Sequence, residues 1–383
     1  MTFSEQINEQ ENLIWRIHEL AVRENAIDMS IGNPDLSIPE RLITLAGKYV
    51  KTGSNNFSPP FGLLQLKEQI SRLVHDRNQQ VFDPSDEITI TAGTIQAIAT
   101  AITAFLREGD EVLVFEPSNH NFSATVEQNG GKMVYVPLKT PGFQFDWEEI
   151  RKMISSKTKI ILFNSPHYPT GRVFAESDLL QLQKLVNGTN IIVISDELFE
   201  NLVFDNLRHQ SISLFKRLIP RSLIISSFGP VLNINGWAIA WILGPGNLMK
   251  EFRRIHQFQL YNVNSPLQYA LADYLKEIDS FDETVEYYQG KRNYFLRLMK
   301  GTDFRFIPAQ GSYFQLLDFS GISDESDISF SFRLLNDFRL ATIPVSEFYH
   351  KKINTGFIRV CFAKNNETLE KAAEIFSFIG KSR

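Results

Sequence analysis

A chain of 383 residues, 43% hydrophobic and 22% charged, has an ordinary globular composition and a core large enough for more than one domain. Its 39 Lys and Arg against 44 Asp and Glu give a net charge of −5 with no block of like charges, which argues against nucleic acid or an acidic membrane surface as partner. The one cysteine, Cys361, sits in the apolar run FIRVCF, so no intrachain disulfide forms and a buried structural thiol in a reducing compartment is expected.

The opening MTFSEQINEQENLIWRIHEL is charged and lacks a signal-peptide apolar stretch, and no later run reaches membrane-spanning length, so a cytoplasmic protein is expected. Next, EITITAG reads as a strand leading into the helix TIQAIATAITAFL, and EVLVFEPS as a strand before a helix through NFSATVEQN. KMVYVPL follows as a strand, then KIILFNSP leads towards the helix ESDLLQLQKLV, and NIIVISDE, RSLIISSF and WAIAWILGP complete the set. These strands are Val- and Ile-rich and apolar on both faces, as in a mainly parallel sheet covered by helices on both sides. After about residue 275 a long polar helix, DSFDETVEYYQGKRNYFLRLMKG, opens a region of α+β pattern. We expect an α/β fold with a large domain over residues 41–275 and a smaller one formed by residues 1–40 and 276–383.

Open sheets of this kind bind ligands at the carboxyl ends of their strands. TAGTIQ, EPSNHN, NSPHYPTG, SDELFE and SSFGP each follow a strand directly. Taken with IGNPD, the GW after SSFG, HQFQLYNVNSPLQYALADYL, PAQGSYFQLLDFS and IRVCFAKNNETLEKA, their order and spacing over nearly the whole chain resemble the class I pyridoxal-phosphate (PLP) aminotransferases. Within these the similarity is to the methionine and kynurenine aminotransferase subgroup. The resemblance implies the fold-type I architecture (aspartate aminotransferase-like), PLP as cofactor, and a homodimer with active sites at the subunit interface.

That chemistry needs an amine to hold the cofactor and move a proton, a carboxylate for the pyridine nitrogen, donors for the phosphate, and a cation for the substrate carboxylate. Asp196 matches the pyridinium partner, Arg359 the substrate cation, and Gly32 in IGNPD the carboxylate-contacting glycine loop. Read without the family, the same residues are a turn aspartate, a salt-bridging arginine and a turn glycine.

The amine is absent. The family's lysine position holds Pro230, which has no free nitrogen to form an imine, so covalent attachment of PLP is not expected. The surrounding positions change too. Ala238 stands where a phosphate-neutralising cation follows GW, and Ile95 where the phosphate turn carries a hydroxyl, although Gly93 and Thr94 still offer N–H groups at a helix N-terminus and Ser227 keeps its hydroxyl. Tyr168 takes the asparagine position, Phe199 and Phe57 take tyrosine positions, and Asn119 falls where an aromatic would stack on the ring. Losing a cationic donor and two or three hydroxyls, each worth roughly 1.5–3 kcal/mol to a charged group, weakens phosphate anchoring by several orders of magnitude. Tight PLP binding is therefore not expected.

Three functions follow, in this order. The first is a pseudoenzyme that cannot hold PLP covalently, whose remodelled pocket binds an amino acid or other carboxylate. The second is an aminotransferase-type enzyme using PLP or its amine form, PMP, non-covalently. The third is altered chemistry without PLP. His120 and His167 are the loop histidines able to replace the lysine as proton carrier, with His167 read as inherited scaffold and His120 as solvated.

Overall fold

The computed structural model describes residues 12–119 and 122–380. Twelve strands occur in this part of the chain: β1 (Ile27–Asp28), β2 (Ile88–Thr91), β3 (Glu111–Glu116), β4 (Lys132–Pro137), β5 (Thr158–Asn164), β6 (Ile192–Asp196), β7 (Ser222–Ser227), β8 (Ala240–Leu243), β9 (Phe314–Asp318), β10 (Leu340–Ala341), β11 (Ile343–Pro344) and β12 (Phe357–Cys361).

The central sheet has seven strands in the order β2-β8-β7-β6-β5-β3-β4. From β4 to β7 all neighbours are parallel. β8 runs antiparallel to both β7 and β2, and the connection explains why. A parallel return usually runs through a full crossover helix, whereas residues 228–239 form only two short helical turns, Gly229–Leu232 and Asn235–Trp237, before the chain turns back.

The strands are apolar on both faces because both faces are buried. Val112 and Val114 of β3 join a core with Ile98 and Ile102 of the helix Thr94–Phe105 and Phe252 of the helix Gly246–Gln259. Leu113 and Phe115, pointing the other way, join a larger core that runs on into Tyr313, Phe314 and Val360. One apolar body therefore connects the large sheet to the C-terminal third.

That third carries a three-stranded antiparallel sheet, β11-β12-β9, and a parallel pairing of β1 with β10 that ties the N-terminal segment to it. The long helix Asp282–Met299 is polar outside but buries Tyr288, Phe295 and Met299. Its Arg292, also buried, grips the Asp205 carboxylate with two nitrogens at 2.7 and 2.5 Å and donates to Ala309 O at 2.7 Å. Cys361 is fully buried, and burial pushes its thiol up to about 11. Among the described residues no helix is long and apolar enough to cross a membrane.

Candidate active site

The carboxyl ends of β5, β6 and β7 and the N-terminus of the Thr94–Phe105 helix enclose a cavity of about 630 Å³. Gly93 adopts φ +84° at the turn from β2 into that helix, and a Cβ there would meet nothing, so glycine is required for conformation and not for space. No side chain caps the helix. Its first-turn N–H groups, beside Gly93 and Thr94, face the cavity as a ready site for an anion.

Across the cavity, Asp196 ends β6. Leu198 N donates to its carboxyl at 3.2 Å, no described cation pairs with it, and burial pushes it up to about 7. The loop after β5 is pinned to the same point: Asn164 Nδ2 donates to Asp196 O at 2.9 Å and Asn164 Oδ1 accepts from Tyr168 N at 2.5 Å. A carboxyl with no cation beside it can receive a protonated ring nitrogen.

Gly32, Asn119, Tyr168, Phe199 and Ser227 line the same cavity as Gly93, Thr94 and Asp196. Arg359 and Pro230 do not. Arg359, on β12, is 1% exposed and lies 4.2 Å from the Phe314 ring centroid, with Tyr168 and Phe348 both at 5.2 Å. Its guanidinium donates to Tyr168 Oη and Ser30 O, and its Nε has no partner. No described carboxylate reaches this buried cation. Tyr168 therefore caps Arg359, edge-on to Phe314 and Phe348, while also lining the cavity. Ile95 is half exposed at the rim.

Gly32 has a packing role that sequence alone did not give: a Cβ there would stand 2.7 Å from Tyr313 and 2.8 Å from Phe314. Tyr313 Oη donates to Gly32 O at 3.3 Å and accepts from Asn235 Nδ2 at 3.1 Å. Phe199 is buried edge-on to Tyr313 at 5.1 Å.

The β7–β8 connection is closed on itself. Pro230 lies in the first turn of the Gly229–Leu232 helix, where a missing N–H costs nothing, and is buried. Ser227 Oγ donates to Ile239 O at 2.7 Å and accepts from Gly229 N at 2.9 Å, so its hydroxyl is already engaged. Ala238 brings only a methyl to the cavity wall. His167 is buried against Thr170 Oγ1 at 2.8 Å, with burial lowering its pKa to about 3. His120 lies outside the described residues. Phe57 is 76% exposed and packs edge-on to Tyr261.

Asn235, Tyr313, Asn164 and Ser118 also face the cavity and were not singled out. Tyr313 sits within PAQGSYFQ and Asn164 within NSPHYPTG, so their loops were recognised while their side-chain directions were not legible. The Ser118 hydroxyl is buried without a partner.

The sheet that carries this site has the architecture of the fold-type I PLP-dependent transferases. The chain belongs to the aminotransferase class I and II family, whose model matches residues 24–376. It is 33% identical to a methionine aminotransferase of Escherichia coli over 363 residues, 94% of each chain. It is 29% identical to kynurenine–oxoglutarate transaminase 3 of Rattus norvegicus, covering 95% of this chain and 87% of that one. The fold matches the crystal structure of an E. coli protein with methionine aminotransferase function at a TM-score of 0.95, 31% identity and 99% coverage of both chains. N-succinyldiaminopimelate aminotransferase of Mycobacterium tuberculosis gives 0.94 at 28% identity, covering 99% of this chain and 100% of that one.

The family's cofactor is PLP, and the residues present fit it in part. Asp196 suits the ring nitrogen, and the uncapped helix with open space at Gly93 suits the phosphate. The β7–β8 connection offers no amine.

Proposed function

We propose that the chain is an aminotransferase-family protein whose pocket takes PLP or PMP non-covalently together with an amino acid or 2-oxo acid, and that amino transfer proceeds there without a lysine. The observation that carries this reading is the Asp196 carboxyl, which meets no cation among the described residues, opposite an uncapped helix N-terminus. Both ends of the cofactor keep a receptor although the covalent link is gone.

In this reading Asp196 holds the ring nitrogen protonated, and the first turn at Thr94 takes the phosphate. Ser227 joins only by giving up Ile239 O. Arg359 takes the substrate carboxylate once the Tyr168 hydroxyl turns away, and a buried cation with no anion is poised for that exchange. When bound, the cofactor supplies an electron sink for the charge left at the amino acid's α-carbon. Neither Pro230 nor the buried, neutral His167 moves that proton, so it passes to water, at a cost of about 10²–10⁴ in rate.

A second reading, a pseudoenzyme that binds a carboxylate without turnover, is favoured by the sealed Ser227–Ile239 connection. The visible spectrum with added PLP, borohydride treatment and amino transfer from methionine separate the two. A PLP complex that borohydride leaves uncoupled from protein, with slow transfer, supports the first. Absence of any PLP complex in a protein that still binds a 2-oxo acid overturns it for the second.

We further propose a cytoplasmic homodimer. Phe57 and Tyr261, 76 and 69% exposed, pack edge-on as a pair of surface aromatics suited to a second copy. A monomer in sedimentation at micromolar concentration contradicts this.

A further inference from the structure

We propose that the chain has a second ligand site, a cleft beyond the Tyr168 loop that takes an apolar organic carboxylate on a rim of arginines. This cleft measures about 870 Å³, larger than the cavity at Asp196, and no residue lines both. The two share walls built from the same elements. The segment after β5 gives Tyr168 to the first and residues 170–175 to the second, and β9 gives Phe314 to the first and Leu316 and Asp318 to the second.

The charge of the cleft is unbalanced. Arg172, Arg208 and Arg305 reach it in a chain whose net charge is −5. The Arg208 and Arg305 guanidiniums meet no carboxylate among the described residues. Arg172 Nη1 donates to Gly142 O at 2.8 Å, its Nη2 lies 3.8 Å from Asp178, and its buried Nε has no partner. Asp178 is already engaged, accepting from Trp147 Nε1 and Ala175 N, both at 3.1 Å. The one carboxylate on the cleft wall, Asp318, is likewise occupied, accepting from Ser320 N at 2.9 Å and Ser320 Oγ at 2.6 Å. A neighbouring hollow shares Arg208 and adds Lys216 and Arg217 against one carboxylate, Glu176, so its lining too carries a net positive charge.

Guanidinium forks match oxyanions, and the unpaired Nε and free rim groups are the donors such a ligand needs. The rest of the wall is apolar, with Phe143, Phe306, Leu316 and Phe357, so the ligand that gains most carries its carboxylate on an aromatic or branched apolar body.

Phenylacetate is a suitable probe, titrated calorimetrically into the full-length protein, with inorganic phosphate as competitor. Arg208→Met/Arg305→Met, at exposed positions that leave the core untouched, should weaken phenylacetate by tenfold or more. Asn119→Trp, which obstructs the other cavity, should leave this binding unchanged. The proposal fails if the wild type binds no phenylacetate at millimolar concentration, or if Asn119→Trp removes binding while the arginine variant keeps it. It fails also if phosphate binds as tightly as phenylacetate, which would mark a simple anion site with no use for the apolar wall.

Discussion

The carboxyl ends of β6 and β7 are hydrogen-bonded neighbours in one sheet, yet they meet the cavity in opposite ways. At β6, Asp196 presents an acid with no cation, and the helix beginning at Thr94 presents donors with no cap. At β7, the polar groups are spent inside the protein: Ser227 on Ile239 and Gly229, Asn233 on Leu36, Asn235 on Tyr313. One end is prepared for a ligand and the other for itself. The contrast shows that the reactive side chain of such a site is separable from its cradle. Proline is tolerated at residue 230 because it falls in the first turn of a helix, one of the few buried places where the backbone asks nothing of that nitrogen.

Restoring what β7 lacks is the strongest way to break the contrast. Pro230→Lys with Ala238→Arg should change labelling by PLP and borohydride from none to stoichiometric at residue 230, and raise amino transfer from methionine by about 10²–10⁴-fold. Peptide mass mapping reads the first and a coupled assay the second. A folded double variant that binds PLP without covalent label would mean that the cradle itself has moved.

Removing what β6 keeps has the next largest effect. Burial holds Asp196 at about 7 against an ordinary 3.8. Between these values the folded protein retains a proton that the unfolded chain has released, so stability falls as pH rises from about 4 to about 7, and the deficit is complete above 7. Asp196→Asn removes the titration. At about 1.4 kcal/mol per pKa unit the variant should gain up to about 4 kcal/mol over wild type at pH 8 and little at pH 4, by urea unfolding. It should lose PLP binding at both. Equal stabilities at pH 8 would show that water reaches the carboxyl and that it is no longer held uncharged.

How much of this was legible before the fold was known follows from what each residue talks to. The sheet was readable because strands buried on both faces must be apolar throughout, and each run from EITIT to WAIAWIL is. β8's reversal left no signal in its own apolar run, because it depends on residues 228–239 forming two short turns and no crossover helix. At the site, Asp196, Gly93 and Thr94 were identifiable because strand ends and helix starts fix their backbone positions. Side-chain directions were not. That Tyr168 turns to Arg359 depends on β12, nearly two hundred residues away, and that Gly32 is needed for Tyr313 to pack depends on β9. The arginine cleft gave no local signal, since its three cations come from separate segments.

Tyr168→Phe tests the meeting point of these distant parts. It leaves an Arg359 donor without its acceptor in a buried setting, which should cost about 1–3 kcal/mol of stability. The same change removes the group that competes with a substrate carboxylate, so affinity for a 2-oxo acid should rise as stability falls. Both changes moving down together would place Tyr168 on the ligand and not in its way.

The smallest effect belongs to Phe57. Its ring is 76% exposed and touches Tyr261 at a centroid distance of 4.8 Å, so Phe57→Tyr should alter the stability of the isolated chain by less than about 0.5 kcal/mol. In the class I aminotransferases that the sequence resembles, the tyrosine at this position reaches across the dimer to the cofactor phosphate; in the proposed homodimer the new hydroxyl would do the same, and a hydrogen bond to a charged group is worth roughly 1.5–3 kcal/mol. PLP should then bind about tenfold more tightly, and dilution to monomer should abolish the gain, because no single chain brings residue 57 to its own cavity. A gain that survives dilution, or none in a demonstrated dimer, would place the two copies differently and detach Phe57 from the phosphate end altogether.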